Sequence, residues 1–338
     1  MTIKPERIKL GYKASAEQFG PQQLLRYGIL AEEIGLDSVL ISDHFQPWQH
    51  DGGHAPFALA WLAALGARTE RIELGTSVLT PTFRYNPAVI AQAFGTLGCL
   101  FPGRVLLGVG SGEALNELAV ADLQWPKFGP RFARLREAIT VINKLWTDER
   151  VNFSGDFYQL HNATVYDRPE LRVPILVAAG GPVMAKFAGT VADGFICTSG
   201  KGRELYADRL LPAIAAGRQD SEYPDRSFDK MIEIKLSWDL DQDTALANTR
   251  FWAPLSLTEE QKQGLGDPVE MQAAGSRLSI EQIASRWIVT NDPQTVVDQV
   301  AEYVDLGFNH LAFHAPGHDQ ERFLRTFATE VLPALRQL

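Results

Sequence analysis

The sequence predicts an α/β fold, a (β/α)8 barrel with insertions, on three observations. Short β-rich runs alternate with longer stretches of helical period along the whole chain. Eight such units can be counted, the number that closes a barrel. The dinucleotide fingerprint G-x-G-x-x-G, which a doubly wound sheet carries in its first unit, is absent there.

The predicted strands are Ile8–Lys13, Ser38–Ser42, Ile72–Ser77, Val105–Val109, Ile175–Ala179, Gly194–Cys197, Met231–Ser237 and His310–Phe313. Helical segments follow, among them Gln22–Ile34, Phe57–Ala67, Pro87–Cys99, Phe132–Trp146 and Thr295–Leu306. Pro56, Pro87 and Pro293 are placed where a first helical turn tolerates proline. Two stretches break the alternation. Val151–Leu160, with its Asn-Phe-Ser-Gly-Asp-Phe-Tyr turn, reads as an inserted β-hairpin. Residues 253–286 are too long for a plain loop, with Thr258 capping a helix, and read as a lid or substrate collar. The whole chain, 1–338, is expected to be one barrel domain carrying these two insertions.

The 338 residues are 45% hydrophobic and 22% charged, the composition of an ordinary globular protein. A net charge of −9 has the wrong sign for a general nucleic-acid or anionic-membrane binder, so an anionic ligand would need a local basic cluster. The start has no secretory pattern and no apolar run reaches the ~20 residues of a membrane span. Cys99 and Cys197 lie in apolar surroundings far apart in sequence, which suits buried, unbridged thiols in a reducing cytoplasm.

In a barrel, functional groups stand at the C-terminal ends of strands, and here those ends are polar: Ser15 and Glu17, Asp43 and His44, Ser77 and Thr80, Ser111 and Glu113, Gly180 and Gly181, Thr198 to Lys201. In Ser-Asp-His-Phe-Gln-Pro-Trp, His44 can move a proton at neutral pH, tuned by Asp43 and Trp48. The bland reading is that Asp43 caps a turn while His44 and Trp48 pack. Leu107–Glu117 runs from a strand through a Gly-rich turn into a helix, so Glu113 either caps that helix or faces a ring ligand. Ala178–Pro182 repeats the pattern. Two glycines and Pro182 open a helix whose amides at Val183 and Met184 can cradle a phosphate. Cys197–Gly202 adds hydroxyls and Lys201, and Lys262 and Arg286 from the second insertion can join it over a dianionic phosphate. Metal readings fail: His50 and His54 lie in a loop, and His310, His314 and His318 have no carboxylate at ligand spacing. Glu17 and Glu113 also form a conceivable hydrolytic carboxylate pair.

These segments, with Leu10–Phe19, Gly75–Phe94, Met231–Lys235, Asn248–Lys262 and His310–Gln320, resemble the F420-dependent glucose-6-phosphate dehydrogenases of the bacterial luciferase-like superfamily, essentially end to end. The resemblance implies a cytoplasmic, homodimeric (β/α)8 barrel that binds an 8-hydroxy-5-deazaflavin, coenzyme F420, at its mouth and oxidises C1 of a hexose 6-phosphate. It assigns cofactor contacts to Asp43, Thr80, Ser111, Gly112, Asn116, Gly180, Gly181, Val183 and Met184, and a non-prolyl cis peptide to Ser77–Val78. Thr198, Lys201, Lys262 and Arg286 match the sugar-phosphate contacts. His44 and Glu113 match the acid–base pair, with Trp48 and Glu17 beside them. Ser111 departs from the threonine common in the family, and Gly264–Gly275 is a stretch where sugar preference can differ.

The chemistry explains these types. Oxidising a hemiacetal carbon requires hydride departure from C1 and removal of the O1 proton, which His44 is expected to accept. Glu113, with its pKa raised by burial, is expected to neutralise charge on the reduced ring, although the two roles can be exchanged. Three rivals stand: an FMN-dependent monooxygenase of the same superfamily, a carboxylate-pair hydrolase, and a non-catalytic carrier. Retention of Lys201, Lys262 and Arg286 argues against the monooxygenase, whose apolar substrate offers a cation nothing to bind.

Overall fold

A computed structural model of the protein describes residues 7–121, 123–262 and 265–338. Eight parallel strands close a barrel: β1 (Lys9–Ala14), β2 (Ser38–Ile41), β3 (Glu73–Thr76), β4 (Val105–Val109), β7 (Ile175–Ala178), β8 (Gly194–Thr198), β9 (Asp229–Trp238) and β11 (His310–His314). β8 pairs with β9, β9 with β11 and β11 with β1, which joins the ends of the sheet. β5 (Val151–Ser154) and β6 (Gln159–Ala163) form the antiparallel hairpin inserted before β7. β9 is long enough to leave the barrel, and its last residues pair with the short β10 (Ile288–Thr290).

Strand alternation divides the side chains into two sets. Leu10 and Tyr12, Ile232 and Ile234, and Leu311 and Phe313 point outward into the apolar layer beneath the helices. Leu40, Leu106, Leu176, Ile196, Met231 and Ala312 point inward and plug the barrel. Above that plug the inward positions turn polar, with Lys13, Glu233, Lys235 and His314 all buried. Below it, Lys9 lies 3.0 Å from Glu73 and 3.2 Å from Asp229, and Asp229 lies 3.4 Å from His310. The sequence offered His310 no carboxylate at ligand spacing, yet strand register brings two within reach. The Lys9 ammonium bridges the two carboxylates there.

Helix boundaries follow the capping chemistry. Pro87 and Pro293 open helices Pro87–Leu100 and Pro293–Asp305, whose caps Asn86 and Asp292 accept bonds from the next amides. Pro56 does not: Phe57 is the cap of helix Ala58–Gly66, so this proline ends the approach loop instead. The helix placed at Phe132–Trp146 starts a turn earlier, at Phe128, and runs to Thr147. In the second insertion Thr258 and Gln261 exchange side-chain and backbone bonds, a capping box that starts helix Glu259–Lys262. Gly264, the first residue of the stretch expected to vary with sugar preference, lies outside the described residues together with Gln263; Pro268–Gly275 is a helix capped by Asp267.

Cys197 is buried, as expected, but Cys99 is exposed. Its surroundings are apolar because it sits on the outer face of helix Pro87–Leu100, where Val89 and Leu100 are also exposed, and not because the core covers it. Among the described residues, no helix is long and apolar enough to cross a membrane.

Candidate active site

Every barrel strand delivers its C-terminal end to one cleft of about 550 Å³, within the range of small-molecule sites. β1 contributes Lys13 and Glu17, β2 contributes Asp43, His44 and Trp48, and β3 contributes Ser77, Val78 and Thr80. Ser111 to Glu113 and Asn116 follow β4, while Gly180 to Met184 follow β7. Thr198 ends β8, and Glu233, Lys235 and His314 rise from β9 and β11. The Ser77–Val78 peptide is cis, and the Lys13 ammonium donates to the Ser77 carbonyl.

His44 is the centre of this group. Its Nε2 lies 3.3 Å from Glu17 Oε1 and 3.9 Å from Glu113 Oε2, and its ring packs against Trp48 with centroids 5.6 Å apart. Nδ1 is 3.0 Å from the Gln46 carbonyl and 3.3 Å from Asn116 Nδ2. Burial pushes the Glu17 carboxyl up, but His44, Lys13 and a 2.7 Å bond from the Ser42 hydroxyl outweigh it and hold the group below its ordinary value. Glu17 is therefore a carboxylate. Glu113 is not the buried acid the sequence reading required, because its side chain is 52% exposed. It precedes the four-residue helix Ala114–Glu117 without capping it, which leaves the carboxyl at the rim.

Asp43 lines the cleft, but its carboxylate is already held. Arg84 Nη2 donates to it at 3.0 Å and the Tyr85 hydroxyl at 3.0 and 3.1 Å. Arg84 Nε also reaches buried Glu117 at 3.2 Å, so one guanidinium ties the loop after β2 to the helix after β4. That helix presents Asn116, whose Oδ1 accepts from the amides of Phe45 at 2.8 Å and Gln46 at 3.2 Å. Arg131 fixes the neighbouring turn by donating to the Gly112 carbonyl at 3.1 Å. Gly112 has φ +87° and lies against Thr80 and Trp125, a position a Cβ would crowd.

Lys201, Lys262 and Arg286 do not line this cleft, but each lies close to residues that do. Lys262 Nζ lies 5.3 Å from the Trp48 ring centroid, in an adjoining cleft of about 620 Å³ that shares Trp48, Gly112 and Glu113. Arg286 Nη1 donates at 2.9 Å to Leu255, a cleft residue, and its backbone lies against Gly200, next to Lys201. Tyr206 OH holds that loop by donating to the Thr198 carbonyl at 2.8 Å and accepting from the Lys201 amide at 3.3 Å.

Sequence reasoning missed Arg84, Arg131, Tyr206, Trp252 and the buried quartet Lys13, Glu233, Lys235 and His314. A signal existed for three of the quartet: Met-Ile-Glu-Ile-Lys and His-Leu-Ala-Phe-His place polar residues at alternate positions of otherwise apolar strands, which is one face of a pleat.

Fold and cleft together define a luciferase-like α/β barrel. Residues 6–310 match the luciferase-like monooxygenase family, and the chain belongs to that family. Within it, the chain is 64% identical over 333 residues to an F420-dependent glucose-6-phosphate dehydrogenase of Intrasporangium calvum, covering 98% of this chain and 100% of that one. A namesake from Nocardia farcinica is 62% identical over 98% of this chain and 99% of its own. Among solved structures, an F420-dependent secondary alcohol dehydrogenase in complex with an F420-acetone adduct superposes with a TM-score of 0.91 at 32% identity, covering 98% of this chain and 99% of that one.

Proposed function

We propose that this protein is an F420-dependent glucose-6-phosphate dehydrogenase, oxidising C1 of glucose 6-phosphate to 6-phosphogluconolactone. The observation that carries the reading is His44, set beside two carboxylates in the cleft at the barrel mouth, with Lys262 in the cleft that adjoins it. Its relatives of that name cover nearly the whole chain.

The residues present fit the cofactor. Nothing lies within 4 Å of the positions a Cβ would take on Gly180 and Gly181, so the backbone there is open to a phosphate-bearing chain. Pro182 opens a ten-residue helix whose cap, Gly181, supplies no side-chain bond to its first amides, which suits an anion. Gly180, Gly181, Val183 and Met184 would hold the tail, and Asp43, Ser77, Val78, Thr80, Ser111, Gly112 and Asn116 the ring. When bound, F420 supplies a ring carbon that accepts a hydride and forms no oxygen adduct.

The protein's part is positioning and proton handling. Thr198, Lys201, Lys262 and Arg286 seat the phosphate as hydroxyl, point charges and bidentate fork, and so fix the far end of the sugar. His44 takes the O1 proton at Nε2, and ionised Glu17 stabilises the imidazolium that forms. Trp48 supports the imidazole. Glu113, half exposed at 3.9 Å from the same nitrogen, exchanges a proton between cleft and solvent.

The assembly we propose is a cytoplasmic homodimer of a single barrel domain, 1–338, with the hairpin and the 253–286 collar as insertions. Helices Ala58–Gly66 and Pro87–Leu100 contain no charged residue although both reach the surface, which favours burial against a second copy. The exposed thiol of Cys99 suits a reducing compartment.

The test mixes purified protein, oxidised F420 and glucose 6-phosphate and follows the cofactor's visible absorbance. Bleaching with glucose 6-phosphate, and none when glucose or FMN is substituted, is expected. An unchanged spectrum with glucose 6-phosphate overturns the reading.

A further inference from the structure

In the buried group on β1, β9 and β11, Lys13 bears on the proposed reaction through Glu17, whereas Glu233, Lys235 and His314 have no part in it. Glu233 is its centre: Lys235 Nζ lies 3.1 Å from Oε1, Lys13 Nζ 3.6 Å from Oε2, and His314 Nδ1 3.2 Å from Oε1. Burial raises the Glu233 carboxyl, but Lys235, Lys13 and His314 override it and hold the group well below the carboxylate range. Ionised Glu233 only accepts, so the proton on the His314 ring sits on Nδ1. Burial also lowers the His314 pKa, which keeps the ring neutral and leaves Nε2 as a bare lone pair.

That lone pair is unused. His314 Nε2 is buried and has no hydrogen-bond partner, and the residue is 2% exposed. Buried acceptors are seldom left unpaired, and one that lines a cleft points to a ligand donor. The ring cannot swing away to find another partner. Trp252 meets it edge-on with centroids 4.4 Å apart, Trp287 lies 5.0 Å away, and the Trp252 indole is itself anchored by its Nε1–H donating to Gln18 Oε1 at 3.1 Å. His314, Glu233, Lys235 and Trp252 line the same cleft as His44.

We propose that His314 Nε2, with Lys235 beside it, is a hydroxyl-binding subsite that accepts a hydrogen bond from one ring hydroxyl of the sugar phosphate. The inference rests on the sugar-phosphate reading and deepens it by naming what selects the sugar. A neutral acceptor of this kind is useless to a phosphate dianion, which has only acceptors to offer. It is equally useless to a simple alcohol whose one hydroxyl is consumed at His44. A polyol satisfies it, because a second hydroxyl donates to Nε2 while its oxygen receives a donor from the Lys235 ammonium. Sugars that lack or invert that hydroxyl leave a buried acceptor unpaired, the condition under which a pocket discriminates most sharply.

The test crosses substrate with protein. Glucose 6-phosphate and its 2-, 3- and 4-deoxy analogues are compared with the wild type and with His314→Leu and His314→Gln, as kcat/KM and as dissociation constants from thermal shift without cofactor. In the wild type, one deoxy analogue is expected to fall by at least about 10²-fold while the others change little. His314→Leu should lose a similar factor on glucose 6-phosphate, and the penalty for that one analogue should shrink to within about threefold; His314→Gln, which keeps an acceptor, should restore part of it. The wild-type binding series needs no variant, so a misfolded substitution cannot hide the answer. If the wild type turns over glucose 6-phosphate but treats all deoxy analogues alike, or if His314→Leu lowers every sugar equally, this inference falls alone. If the wild type turns over no hexose 6-phosphate, the function proposed above falls with it.

Discussion

Asn116 Nδ2 lies 3.3 Å from His44 Nδ1, and Asn116 Oδ1 accepts from the amides of the two residues that follow His44. His44 Nδ1–H donates to the Gln46 carbonyl, so the Asn116 amide acts on the ring through the loop, whose Phe45 and Gln46 amides it anchors. Asn116→Ala should leave two backbone donors without their acceptor, lowering stability by about 1–3 kcal/mol. It should also let His44 drift and lower kcat by roughly 10–100-fold. Thermal melts and steady-state rates read the two effects separately; a full kcat in a destabilised variant would show that the ring needs no such anchor.

His44→Ala removes the proposed base outright. Turnover should fall by ~10²–10⁴-fold, the span of general-base contributions, while F420 affinity measured by fluorescence holds. Near-normal turnover would sink the assignment and shift the role to Glu17 or Glu113.

For the rim cations the expected signature is different. If Lys262 and Arg286 seat the phosphate as proposed, their replacement by Ala removes charge-assisted bonds to a group remote from C1, so KM for glucose 6-phosphate should rise by about 10–100-fold with kcat less affected. Glucose itself should be indifferent to both changes. Equal loss on glucose and its phosphate would mean these residues act on the fold.

Arg84 joins two buried carboxylates, Asp43 and Glu117, at 3.0 and 3.2 Å. Arg84→Met leaves both without their cation, and a loss of about 3–5 kcal/mol is expected. Chemical denaturation of the purified variant measures it. A loss under about 1 kcal/mol would mean that neither carboxylate depends on the guanidinium.

Much of this architecture was legible in the chain, because β-alternation and helical period act locally. The eight barrel strands lie within a few residues of where pattern placed them, and most of the polar strand ends line one cleft, Ser15 and Ser199 to Lys201 excepted. What stayed hidden depends on register between distant strands. Glu233 and His314 are 81 positions apart, and only the β9–β11 pairing of Ala312 with Glu233 sets them side by side. The exposure of Glu113 was hidden for a related reason. A Gly-rich turn leaves open whether the next side chain enters a pocket or its rim, and here Gly112 turns it to the rim.

That same buried group sets the acid limit of the fold, in two steps whose signs follow from its shifts. His314 has a folded pKa lowered from 6.5, chiefly by burial, so as pH falls through about 6.5 the unfolded chain takes the proton first and stability begins to decline. Glu233 is also depressed, below 4.5, because Lys235, Lys13 and His314 overcome its burial. Its contribution is complete above about pH 4.5 and is lost as pH drops through the folded value. The melting temperature of the wild type should therefore sag gently below pH 6.5 and fall steeply below pH 4.5. Glu233→Gln strands two buried ammonium groups and should cost about 3–5 kcal/mol at neutral pH. Its acid slope should nevertheless be the shallower one, so the two curves converge as pH falls. Parallel curves down to pH 3.5, roughly one unit below the ordinary carboxyl value, would mean that Glu233 carries no more proton linkage in the folded protein than in the open chain.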